Sequence, residues 1–238
     1  MASIADRQAA QPRFSWDPNV PATAFWADLP YYEVAGHFTR CFDASEISSM
    51  DLDSRQGLPP TEKTKLLYGI LVDKLDKRGK QEGGIEAFKA SSFEEWRDLN
   101  GAKFSIEDDL GMPEAEATAR LMIKNPRNGK DDAGSKMCLI KILTDKGSYE
   151  EAEQLSEGVI QELENHPKLG RASPQVMGQV RNLIALRWKQ GKMEEAKVLI
   201  ADGHKRIDEM AETDFAKYVD EEREELNDVV KKLQLISQ

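Results

Sequence analysis

His37 and Cys41 are the first residues whose types and spacing suggest chemistry, four positions apart. On a helix that spacing puts both on one face, where an imidazole could take a thiol proton or the pair could supply half of a metal site. No third ligand and no orienting acid accompany them, and Cys41 falls in an apolar stripe, so core packing is their expected role. His166 precedes Pro167 and His204 stands beside Lys205, neither in catalytic company. Carboxylates come in runs: Glu150-Glu151, Glu194-Glu195 and Asp220-Glu221-Glu222. The first two open helices, where negative charge meets the positive end of the helix dipole; they read as helix-start acids before general acids. Lys124, Arg127 and Lys130, around Gly129, lack the spacing of a phosphate-binding loop. These residues assign no catalytic group, no metal and no cofactor.

The elements that would position such groups read as helices throughout. Residues 1–28 hold three prolines and no sustained helical period, an irregular arm. Eight of the 17 aromatic residues lie within the first 42 positions, Phe14, Trp16, Phe25 and Trp26 among them. Disordered segments are poor in aromatics, so the arm is expected to be pinned by its rings. Pro30 opens an amphipathic helix with Tyr31, Val34, Phe38 and Phe42 on one face. Residues 43–60 read as a polar linker or loop. Thr61 is placed to cap a helix that Gly79 stops, Ser92 with Glu95 forms a capping-box pattern, and Ser105 with Asp108 suggests a further short turn. Ser173-Pro174 is a helix start, and Thr213 is placed to cap a long terminal helix with an acidic outer face.

The formal charge of −10 makes a phosphate backbone a poor partner, so no nucleic acid is expected. No apolar run approaches the roughly 20 residues that span a bilayer, and the N-terminal residues lack a secretory pattern. With two cysteines far apart in apolar contexts, a cytoplasmic protein with reduced thiols is expected.

The strongest pattern is a copy. Gly147-Ser148-Tyr149-Glu150-Glu151-Ala152-Glu153 returns as Gly191-Lys192-Met193-Glu194-Glu195-Ala196-Lys197, 44 residues on. A glycine turn and a helix start at that period mark an array of helical hairpins. Ser148 with Glu151 also has the capping-box pattern. Leu183, Ile184, Gly191, Ala196, Ile200 and Gly203, with Leu139, Ile140, Gly147, Tyr149 and Ala152 one period earlier, resemble the framework of tetratricopeptide repeats in the longer-period form of kinesin light chains. The likeness covers about residues 134–210, is weaker over 61–126 and is absent before 61. Ile140 and Ile184 stand where the family has a small residue.

The resemblance implies an all-α, right-handed superhelical array of antiparallel hairpins over 61–238, with residues 1–60 packed on it. It also implies a groove, lined by the first helix of each hairpin, that binds a peptide or partner protein, with no membrane involved. Groove positions carried over are Met137, Cys138, Lys141 and Thr144, then Arg181, Asn182, Ala185, Trp188 and Lys189. Partner contacts are expected from Lys141, Arg181, Asn182, Trp188 and Lys189, with Lys141, Arg181 and Lys189 suited to an acidic peptide. The alternative for the basic residues is pairing with glutamates of neighbouring helices. Two further readings stay open for the arm, as a filler or as a plug of the groove. Two stay open for the whole chain: an enzyme with a pocket between arm and helices, and a homo-oligomeric or complex-bound subunit.

Overall fold

The computed structural model describes residues 18–127 and 133–236, with side chains to Leu233. Eleven α-helices and no strand occur among these residues. The protein is all-α. It forms two compact units divided at Asp131/Asp132. The boundary expected at residue 60 therefore falls inside the first unit, and the single array expected over 61–238 is divided.

In the first unit a π-helical turn, Tyr31–Ala35, leads into α1, Gly36–Arg40. Then come α2 (Ala44–Ser49), a 3-10 turn (Leu52–Arg55), α3 (Pro60–Glu82), α4 (Ile85–Ser91), α5 (Phe93–Asp109) and α6 (Ala115–Lys124). The core joins Phe25, Trp26 and Leu29 of the arm to Phe38, to Leu67 and Leu71 of α3, and to Trp96, Leu99 and Ile106 of α5. The arm is pinned as its aromatics suggest. Phe25 meets Trp26 edge-on with ring centres 5.2 Å apart, and Trp26 lies 5.8 Å from Phe38. Phe14 and Trp16 lie outside the described residues.

The arm is also tied by charge. Lys63 of α3 is 1% exposed and donates to Asp28 Oδ1 at 2.7 Å, with its ammonium 5.3 Å from the Phe25 ring centre. A buried ammonium without such partners would be costly. Behind α3, the fully buried Glu107 accepts from Tyr68 Oη at 3.1 Å and from Lys103 Nζ at 2.5 Å, and Lys103 reaches Thr118 Oγ1 at 2.8 Å. That network joins α3, α5 and α6.

Several local expectations are corrected. Residues 43–60 are no plain linker, because Asp43 and Glu46 close a reciprocal capping box that starts α2. Gly79 does not stop α3. A Cβ there would lie 2.8 Å from Ile85 Cδ1, so Gly79 admits the start of α4 against α3. The stop is Gly83, at φ +86°. Thr61 makes no cap, since Pro60 already occupies the first turn. Ser92 makes no side-chain cap, and α5 runs unbroken through Ser105 and Asp108.

The second unit consists of α7 (Ala133–Asp145), α8 (Tyr149–Glu164), α9 (Pro174–Lys189), α10 (Met193–Met210) and α11 (Val219–Ile236). Its two glycine turns share a backbone angle and a hydrogen bond. Gly147 and Gly191 sit at φ +79° and +77°, where only glycine is unstrained. The Ser148 N–H donates to the Leu143 carbonyl at 2.9 Å and the Lys192 N–H to the Arg187 carbonyl at 3.0 Å. This six-to-one bond ends a helix by satisfying a free carbonyl. Ser148 adds no side-chain cap, so its box with Glu151 is not formed. Each helix pair packs across its turn as a hairpin, and α9 packs against α8, α10 and α11.

Ala152 and Ala196 are fully buried, and a Cβ on Gly203 would lie 3.1 Å from Leu226 Cδ2. Small side chains therefore allow the close approach of helices at these positions. The core is Val176, Met177, Val180 and Ile184 of α9 with Ile207, Met210 and Leu226. Ser173 caps α9 through the Val176 N–H and Pro174 takes the first position. Thr213 caps a turn rather than a long helix: its hydroxyl accepts from the Phe215 N–H at 3.1 Å, and a 3-10 turn, Ala216–Tyr218, precedes α11.

Candidate functional site

The expected partner residues separate into three environments. Arg181 leaves α9 toward α11 and forms ion pairs with Glu222 and Glu225. It is an internal tie, the pairing with a neighbouring helix that its alternative reading allowed. Trp188 is half-buried and packs on the core of the second unit. Asn182 and Lys189 are exposed on one side of α9, and neither makes a hydrogen bond or ion pair with the described residues. Lys141 and Met137 are exposed on α7, and Cys138 and Thr144 are half-exposed. The solvent side of the first helix of each hairpin thus carries Met137 and Lys141 on α7 and Asn182 and Lys189 on α9.

The opposite flank of α9 holds residues the sequence reading missed. Glu153 on α8, with an 11% exposed side chain, accepts from Arg187 Nε at 2.9 Å, Gln190 Nε2 at 3.0 Å and Lys192 Nζ at 2.5 Å. Burial alone would raise its pKa. The bonds from Lys192, Gln190 and Arg187 together outweigh burial and hold the carboxyl below its ordinary 4.5. The signal was in the repeat itself, because Glu153 is the position at which the copy has Lys197. At the other end of the hairpins, Arg206 reaches Asp202 and Glu164, both at 2.5 Å. Glu222 shows the reverse balance to Glu153: burial is its largest influence and a single guanidinium does not overcome it, so its pKa is raised.

His37 and Cys41 form no reactive pair. Cys41 Sγ lies 3.4 Å from the His37 carbonyl, on which it donates, and the residue packs on the first core. Burial pushes the Cys41 thiol up to about 12, and burial with Arg40 nearby lowers the His37 pKa. The one is a poor thiolate and the other a neutral ring. Arg127 pairs with Glu94 and Asp98; Lys130 lies outside the described residues. No cluster of three metal-ligating side chains occurs among the described residues, and none of their helices is long and apolar enough to cross a membrane.

The first unit does contain a cleft, of about 710 Å³, between the arm and α1–α2. Trp26, Phe42, Ile47 and Leu52 give it apolar surface, and the charged Arg40 and Asp51 also line it. The Tyr31 hydroxyl donates to the Pro18 carbonyl at 2.5 Å and fixes one side, and Thr23 Oγ1 donates to Asp53 Oδ1 at 2.5 Å. Neither His37 nor Cys41 lines it. Thr23, Thr39 and Ser48 bring hydroxyl groups to its wall.

Comparison with known proteins returns no matching family model, no matching curated protein and no matching solved structure. The likeness to tetratricopeptide repeats therefore rests on this chain's own residues.

Proposed function

We propose that the second unit is a short tetratricopeptide-like array, right-handed and superhelical in the family's manner, which binds a protein partner through an acidic peptide segment. The observation that carries this reading is the pairing of two hairpins with matching glycine turns, the first helix of each exposing polar side chains. On α9 the exposed Asn182 and Lys189 have hydrogen-bonding groups with no partner among the described residues. An extended peptide offers backbone carbonyls to the Asn182 amide and carboxylates to Lys189, and Lys141 on α7 lies at the expected continuation of the groove. Arg181 orders α11 beside α9 and is not a contact. The role is that of an interaction scaffold, in the cytoplasm where its thiols stay reduced.

The test is selection from a displayed library of acidic peptides, run in parallel on the unaltered protein and on an Asn182→Ala/Lys189→Glu variant of unchanged helicity. A peptide family enriched only on the unaltered protein supports the reading. Equal enrichment on both, or none, rejects it.

A further inference from the structure

The cleft of the first unit shares no residue with the α9 face. Its volume of about 710 Å³ lies in the range of small-molecule sites, roughly 300–1,000 Å³. The aromatic base is rigid. Trp26 is buried against Phe25 and Phe38, and Phe42 stacks on Phe38 with ring centres 4.5 Å apart. The cleft is also lined by two residues of opposite charge, Arg40 and Asp51, which form no ion pair with one another. Arg40, in the last turn of α1, makes no hydrogen bond or ion pair with the described residues. The Asp51 carboxylate also has no such partner; its backbone carbonyl accepts from Ser54 instead. Asp51 is the single non-glycine residue with positive φ among those described, at φ 50° and ψ 41°. Its neighbour Asp53 is already engaged by Thr23.

We infer that this cleft binds a small zwitterion with an apolar or aromatic body, of the chemical class of an aromatic amino acid or a dipeptide ending in one. The carboxylate of the ligand meets the Arg40 guanidinium, which presents a planar fork suited to it. The ammonium meets Asp51, and the ring lies on Phe42 and Trp26. A ligand with one charge leaves the other protein charge uncompensated, and a purely apolar ligand leaves both.

Calorimetric titration of the whole protein with L-phenylalanine, glycyl-phenylalanine, phenethylamine and 3-phenylpropionate tests this. One of the two zwitterions is expected to bind saturably, and which one does so distinguishes a free amino acid from a dipeptide. Each one-charge analogue is expected to bind about tenfold or more weaker, the loss that follows removal of a charged hydrogen-bonded contact. Arg40→Gln should abolish the zwitterion's advantage over phenethylamine, and Asp51→Asn its advantage over 3-phenylpropionate. Absence of saturable binding by both zwitterions overturns the inference, and so do equal affinities across the four ligands. The analogue series on the unaltered protein decides the matter even if a variant fails to fold.

Discussion

At the scale of the residue, Arg181 and Cys41 show how environment fixes a role. Arg181 leaves the glutamate of its main pair 7% exposed, and burial still raises the Glu222 pKa with the guanidinium in place. A group whose folded pKa is raised supports the fold most below its ordinary value and loses that support as pH rises through the raised one. Arg181→Gln would leave an ionised carboxylate buried at neutral pH. The expected cost is about 3 kcal/mol, read as a lower urea midpoint, and adding Glu222→Gln should recover part of it because the stranded charge is gone. A double variant no more stable than the single one would contradict the pairing. Cys41, held as a thiol up to about 12 by burial, should resist iodoacetamide at pH 8 in the folded protein and react once urea unfolds it. Alkylation of Cys41 at the same rate in both states, mapped by mass spectrometry, would contradict its place in the core.

At the scale of the element, the hairpin turns and the ties between hairpins behave differently. The turns are local, and local pattern is what a sequence displays. Gly147, Gly191 and Ser173-Pro174 each announce their conformation through residues within a few positions of one another. Asp43 and Glu46 carried such a signal too, hidden in a stretch whose polarity suggested a linker. The ties join residues far apart, Arg187 to Glu153 and Arg206 to Glu164. Their partners depend on which helices become neighbours, and no short-range pattern encodes that. Gly79 is a similar case, since its role follows from the approach of Ile85 rather than from its flanks.

Glu153 offers the sharpest test of an element-scale tie. Its folded pKa is lowered, so its contribution is present above the ordinary value of 4.5 and is lost as pH falls through the lowered one. Glu153→Gln is expected to cost about 1–3 kcal/mol at pH 7. It should also remove part of the loss of stability of the unaltered protein on acidification, so the two urea midpoints converge at low pH. Parallel midpoints across pH would show that the Glu153 charge contributes nothing.

At the scale of the whole molecule, the division at Asp131/Asp132 separates two kinds of packing. The second unit repeats one turn geometry. The first combines a 23-residue α3 with a 7-residue α4 and fills its core with residues of the aromatic arm. Phe25 and Trp26 are committed to that core. The net charge of −10 sets what the α9 face can attract. An acidic partner is repelled by the protein as a whole and is held only by local cations such as Lys189, so its binding should be specific to sequence and sensitive to salt.

The most direct measurement is calorimetric titration of an acidic peptide, selected on the unaltered protein, into that protein, the Asn182→Ala/Lys189→Glu variant and the Arg40→Gln variant. The peptide-binding account predicts a loss of affinity of about tenfold or more in the α9 variant, as expected for removal of charged hydrogen bonds, and no change in the Arg40 variant. Equal affinity of all three proteins, at unchanged helicity, would contradict it.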